Sequence, residues 1–132
     1  MRLFRPKPKT TSVRILVIED SEVDRKVAGK AIELGGDTAL TANDGTTGLA
    51  MAKEYLPDLI ILDLRLPLMS GQEICKRIKG DKDYSWIPVI LLTASSGVIT
   101  PENMVELKAN DLLMKPFNSD ELLAKVNKFL GI

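Results

Sequence analysis

Four short apolar runs punctuate the chain, and each stops on a residue that carries a charge or a hydroxyl. Arg14-Ile15-Leu16-Val17-Ile18 stops on Glu19-Asp20, and Leu59-Ile60-Ile61-Leu62 stops on Asp63. Val89-Ile90-Leu91-Leu92 stops on Thr93, and Leu112-Leu113-Met114 stops on Lys115-Pro116. Continuous apolar runs this short, separated by segments of helical spacing, read as buried parallel strands. A weaker run, Thr38 to Ala42, supplies a fifth strand after the first of them.

Between the strands, apolar positions return every three or four residues. Ser21 caps a first helix with Val23, Val27, Ala28, Ala31 and Ile32 on its apolar stripe, ended by Gly35-Gly36. Asn43-Asp44-Gly45 opens a second helix, which carries Leu49, Ala52 and Leu56 and is closed by Pro57. Ser70 and Glu73 form a capping box for a third, whose stripe is Ile74, Cys75 and Ile78. Thr100-Pro101 starts a fourth, with proline at the first helical position. Asn118 with Glu121 caps a fifth along Leu122, Leu123, Val126, Phe129 and Leu130. Five strand–helix units in alternation predict an α/β fold, a parallel sheet covered by helices on both faces.

In such a sheet, ligands bind at the carboxyl ends of the strands. The four runs deliver three carboxylates, one hydroxyl and one ammonium to that rim. This inventory suits a hard divalent cation together with a phosphoryl group.

Composition bounds the reading. At 132 residues the chain suffices for one packed domain. The net charge is zero but uneven: residues 1–12 hold Arg2, Arg5, Lys7 and Lys9 with no acid, leaving 14 basic against 18 acidic residues in the remaining 120. With Pro6, Pro8 and no period, 1–12 reads as a flexible basic tail ahead of a globular part, 13–132. That tail is either a plain disordered extension or a docking arm for an acidic partner. The chain has no histidine, which argues against imidazole catalysis, zinc binding or a phosphohistidine of its own. No apolar stretch approaches the ~20 residues of a membrane span, and the first twelve residues lack a secretory core. The lone Cys75 allows no internal disulfide and suits a reducing cytoplasm.

Taken singly, each strand-end residue has an ordinary explanation. Asp20 would favour a helix dipole by a few tenths to about 1 kcal/mol. Thr93 is a common strand former, and a lone lysine such as Lys115 reaches for water. Two adjacent acids exceed what a cap needs, however, and Asp63 directly after four buried aliphatics is costly without a partner. Four such ends on one sheet point to one site.

The joint pattern resembles the receiver domain of bacterial two-component response regulators, of the single-domain, chemotaxis-regulator-like kind. The resemblance covers residues 13–132. It is carried by Ile15-Leu16-Val17-Ile18-Glu19-Asp20, by Leu62-Asp63-Leu64-Arg65-Leu66-Pro67-Leu68-Met69-Ser70-Gly71, by Pro88-Val89-Ile90-Leu91-Leu92-Thr93-Ala94, and by Met114-Lys115-Pro116-Phe117. It implies a flavodoxin-like, doubly wound sheet of five strands in the order 2-1-3-4-5 with five helices.

The resemblance also implies roles. Asp63 would be the phospho-acceptor, with Thr93 the switch hydroxyl and Lys115 the cation on the phosphoryl group. Mg²⁺ would sit on Glu19, Asp20, Asp63 and the backbone carbonyl of Arg65, and the Lys115-Pro116 bond would be cis. The Arg65 side chain would face the site mouth, there to screen the phosphoryl group or simply to be solvated. Leu112 departs from the family, which often has Tyr or Phe there, so an aromatic switch is not expected.

The implied partners are a sensor histidine kinase or a histidine phosphotransfer protein. An output protein would bind through residues 94–109, the fifth strand and the fifth helix. No direct DNA binding, no membrane span and a cytoplasmic location are expected. At most the chain would phosphorylate itself from small donors and lose that group unaided. A stand-alone switch is the main expectation; a relay intermediate or the receiver portion of a longer hybrid kinase is the alternative. A haloacid-dehalogenase-type phosphatase is a rival from another class, but it needs an acid two residues after its nucleophile, where Arg65 stands.

Overall fold

The computed structural model describes residues 13–94 and 99–131. The basic tail 1–12 and part of the 94–109 switch segment, residues 95–98, lie outside the described residues. Strands β1 (Arg14–Ile18), β2 (Thr38–Ala42), β3 (Leu59–Asp63), β4 (Val89–Thr93) and β5 (Asp111–Met114) alternate with helices. These are α1 (Glu22–Leu34), α2 (Gly45–Tyr55), α3 (Gly71–Lys79), α4 (Pro101–Leu107) and α5 (Ser119–Leu130). All pairings are parallel, in the order β2-β1-β3-β4-β5. The doubly wound architecture is as expected.

Successive residues of a strand point to opposite faces, so each central strand feeds two cores. Leu16, Ile18, Ile60, Leu62, Val89 and Leu91 pack with Leu49, Ala52, Ile74, Cys75, Ile78 and Leu107 from α2, α3 and α4. Ile15, Val17, Leu59, Ile61, Ile90 and Leu92 pack with Ala28, Ala31, Ile32, Leu122 and Val126 from α1 and α5. β3 and β4 are buried along their whole length. Each such aliphatic contributes about 1.5–3 kcal/mol of burial.

Three local expectations need correction. Val23 is 71% exposed rather than part of the α1 stripe. At 3.6 residues per turn it lies half a turn around the helix from Ile32, which faces the sheet. Leu56 does not continue α2 but caps it at φ 47°, because the following Pro57 disfavours a right-handed helical residue before it. Ser70 Oγ accepts from the Glu73 N–H at 3.2 Å, but the Glu73 carboxylate turns to Arg77 at 2.9 Å, leaving half of the capping box. The full boxes are Thr100/Asn103 on α4 and Asn118/Glu121 on α5.

Register then assembles the rim. Ile18 pairs with Leu62, which sets Glu19 beside Asp63; Thr93 pairs with Met114, which sets Lys115 one step beyond. Gly71 lets the start of α3 approach this edge: a Cβ there would collide with the Asp63 carbonyl oxygen.

Candidate functional site

The carboxyl rim brings together every side chain the strand-end pattern singled out on β1, β3 and β5. One carboxylate oxygen from each of Glu19, Asp20 and Asp63 lies within 4.8 Å of the other two. Glu19 and Asp63 are buried, while Asp20 is exposed. Lys115 Nζ lies 2.5 Å from Glu19 Oε1 and 3.4 Å from Asp63 Oδ2. Thr93 is buried at the end of β4, and its carbonyl accepts the Lys115 N–H at 2.7 Å. The Lys115–Pro116 bond is cis. Arg65 is exposed, and its N–H donates to Asp63 Oδ1 at 3.3 Å. Leu112 is half-buried and packs against the core on the α2, α3 and α4 side.

The first turn of α1 is wired into the same cluster. The Ser21 N–H donates to Glu19 Oε2 at 2.9 Å, and the Arg25 guanidinium donates to the carbonyls of Glu19 and Asp20 at 2.9 and 3.4 Å. Asp24 Oδ2 lies 3.3 Å from Lys115 Nζ. Sequence reasoning passed over Asp24 and Arg25. Helical spacing carried no signal for them: Asp24 lies on the first turn of α1, whereas Asp20 precedes its Ser21 cap, and the partners come from other elements or from backbone.

Electrostatics follows from this crowding. Burial pushes the Glu19 carboxyl up to about 7; Lys115 and the Ser21 N–H pull it down, and Asp63 adds to the rise. Burial works to lower the Lys115 ammonium, but Glu19, Asp63 and Asp24 outweigh it and hold it above its ordinary value. Although ion-paired to Lys115, Glu19 Oε1 receives no well-directed hydrogen bond. An all-oxygen donor set with surplus negative charge and an under-satisfied oxygen fits Mg²⁺, which takes carboxylates and carbonyls and retains waters.

The model of the response regulator receiver domain family matches residues 15–127, most of the chain. The chain belongs to that family. The family is a signalling switch rather than a classical enzyme, which sets the phosphatase reading aside. Receiver domains bind Mg²⁺ in an acidic pocket and interact with histidine kinases or phosphotransfer proteins.

The domain is 37% identical over 117 residues to the DNA-binding dual master transcriptional regulator RpaA of Synechocystis, covering 89% of this chain and 48% of that protein. It is 38% identical over 115 residues to the response regulator PleD of Caulobacter vibrioides, covering 87% of this chain and 25% of PleD. The chain thus spans about half or less of these curated relatives.

Among solved structures, the Vibrio cholerae chemotaxis protein CheY4 superposes with a TM-score of 0.83 at 28% identity, covering 90% of this chain and 99% of that one. The receiver domain of the Pseudomonas aeruginosa sensor histidine kinase PA1611 gives 0.83 at 28% identity, covering 92% and 100%. That structure has a magnesium ion coordinated in the active site cleft. Among the described residues of the present chain, no helix is long and apolar enough to cross a membrane.

Proposed function

We propose that this receiver domain accepts a phosphoryl group on Asp63 from a histidine kinase or histidine phosphotransfer protein, and that the aspartyl phosphate changes which partner it binds. The observation that carries this is the placement of Asp63: at the end of a fully buried strand, 3.4 Å from Lys115 Nζ and inside the Glu19–Asp20 acid cluster. In the transfer, an Asp63 carboxylate oxygen bonds to phosphorus as the bond from phosphorus to the donor imidazole nitrogen breaks, and that nitrogen leaves with the electron pair. Glu19, Asp20, Asp63 and the Arg65 carbonyl would hold Mg²⁺, which when bound would supply positive charge against the negative charge of the transferring phosphoryl group. Lys115 turns its ammonium from carboxylate to phosphate oxygen. Thr93 donates its hydroxyl to a phosphate oxygen absent before transfer, drawing the segment after β4 inward.

The output surface of this reading is 94–109 with β5 and α5. Leu112 there fills space without an aromatic ring's reach, so the segment after Thr93 and the start of α4 carry the change. Hydrogen exchange with and without beryllofluoride tests this, with the largest change expected across 94–109. The small donors acetyl phosphate and phosphoramidate should load Asp63, and the group should be lost unaided. The reading places the domain in the cytoplasm, contacting proteins rather than DNA. A receiver within a longer regulator or hybrid kinase gains support from RpaA, PleD and PA1611, whose receivers are parts of larger proteins or of a kinase. The acceptor itself is tested by incubation with Mg²⁺ and phosphoramidate. One phosphoryl group should be added, labile to hydroxylamine, and full labelling of Asp63→Asn would move the acceptor elsewhere.

A further inference from the structure

We propose that Asp24 is a positioning residue for Lys115: a resting partner that holds the ammonium at the rim while Asp63 is unmodified and must be given up when a phosphoryl group arrives. This rests on the reading of Asp63 as acceptor and adds to it a residue that tunes how easily the site loads. Lys115 Nζ has three carboxylates around it, Glu19 at 2.5 Å, Asp24 at 3.3 Å and Asp63 at 3.4 Å. Glu19 and Asp63 are buried acids at strand ends. Asp24 differs in kind, being about one-third exposed and on the first turn of α1. It stands outside the cluster of carboxylates close enough to share a cation, which is Glu19, Asp20 and Asp63. Its charge therefore acts on the lysine and does not add a ligand.

The helix holds Asp24 in place. Its N–H donates to the Ser21 cap at 3.3 Å, and the neighbouring Arg25 guanidinium grips the Glu19 and Asp20 carbonyls. A side chain anchored on that turn cannot follow Lys115 toward a phosphoryl group on Asp63. Two effects then oppose loading. The ion pair to Asp24 stretches or breaks, and the Asp24 charge repels the two negative charges that a phosphoryl group brings. Both vanish when the carboxylate becomes an amide of the same shape. A part-exposed ion pair is worth a modest factor, about two- to five-fold in an equilibrium constant.

An acid that only favours the α1 dipole would affect stability and leave the lysine alone, so the readout is taken at Lys115. In the full chain with Mg²⁺, Asp24→Asn should bind beryllofluoride about two- to five-fold more tightly than wild type by fluorine NMR. It should take phosphoryl from phosphoramidate faster by a similar factor. Asp24→Glu should restore wild-type behaviour in both. The nitrogen resonance of the Lys115 ammonium should differ between Asp24→Asn and wild type without beryllofluoride and coincide with it. Equal affinity, or an unshifted ammonium signal, would overturn the proposal. So would weaker binding by Asp24→Asn, which would make Asp24 an aid to cation binding. If wild type itself fails to bind beryllofluoride, or Asp63→Asn is labelled, the acceptor reading falls and takes this one with it. Wild-type binding matched by Asp24→Asn sinks only the role of Asp24.

Discussion

Two aspartates bracket β3, Asp58 just before it and Asp63 at its end, and they are almost equally buried at 3% and 4% exposure. Their company differs. Asp58 Oδ2 accepts the Arg14 N–H at 2.9 Å, and the Asp58 N–H donates to the Arg14 carbonyl at 2.8 Å, a reciprocal clasp that starts the β1–β3 pairing. Asp63 faces two other carboxylates and shares one lysine with Glu19 and Asp24. The two edges of the sheet repeat the contrast. At the amino edge Asp111 alone has Lys125 at 3.0 Å and Lys128 at 3.5 Å, while Lys79 caps the Ile87 and Ser85 carbonyls and Asn110 accepts the Val89 N–H. At the carboxyl edge, one ammonium serves three acids. Burial of an acid does not make a site; a surplus of charge left for a ligand to compensate does.

The sharpest way to break the comparison is to exchange the fates of the two aspartates. Asp63→Asn should abolish phosphoryl uptake while the chain stays folded. Asp58→Ala should load normally but orphan the Arg14 N–H, losing about 1–3 kcal/mol in chemical denaturation. Loss of labelling in folded Asp58→Ala, or retention in Asp63→Asn, would erase the distinction between the edges.

A second test asks whether charge surplus means cation affinity. At a free Mg²⁺ concentration about a hundred-fold above its dissociation constant, the unfolding free energy should rise by about 2.7 kcal/mol. Asp20→Ala should forfeit most of that gain and slow phosphorylation, because it removes one of the three clustered oxygen donors. Asp111→Asn, at the far edge, should keep the whole gain. Equal Mg²⁺ stabilisation of Asp20→Ala and wild type would reduce the acid pair to a helix-capping feature.

Much of this was legible in the chain because the fold obeys local rules. Apolar runs such as Ile60-Ile61-Leu62 marked strands, and caps such as Asn118 with Glu121 marked helix starts at the observed residues. Glu19, Asp20 and Asp63 were legible because parallel topology sends every strand end to one rim. What stayed hidden depended on rotation and contact across the chain. Val23 looked like core because helical spacing lists candidate faces without saying which one meets the sheet. Asp24 and Arg25 were missed because their partners, the Lys115 ammonium and the Glu19 carbonyl, come from other elements or from backbone. Asp58 satisfies the cost argument that singled out Asp63, yet its carboxylate accepts the Arg14 backbone N–H, a partner that no residue count reveals.

The smallest predicted effect belongs to the well-compensated edge and has a definite sign in pH. Burial works to raise the Asp111 carboxyl, but the Leu112 N–H, Lys125 and Lys128 outweigh it and hold it below its ordinary value. A carboxylate depressed in the folded state stabilises fully above its unfolded pKa, about 3.9, and that contribution is lost as pH falls through the lower folded value. Asp111→Asn keeps an oxygen for the Leu112 N–H and removes only the charge, so it isolates the lysines. Lys128 is largely exposed and Lys125 partly so, which limits the pair to about 1 kcal/mol. Wild type should therefore exceed Asp111→Asn by about that much near neutrality, with the gap closing below about pH 4. The same variant should take up phosphoryl at the wild-type rate, since its charge lies at the far edge of the sheet. A gap that stayed constant through acid would mean that the two lysines contribute nothing. The amino edge would then be held by its backbone clasps alone, and the contrast with the rim would rest on Asp58 and Asp63.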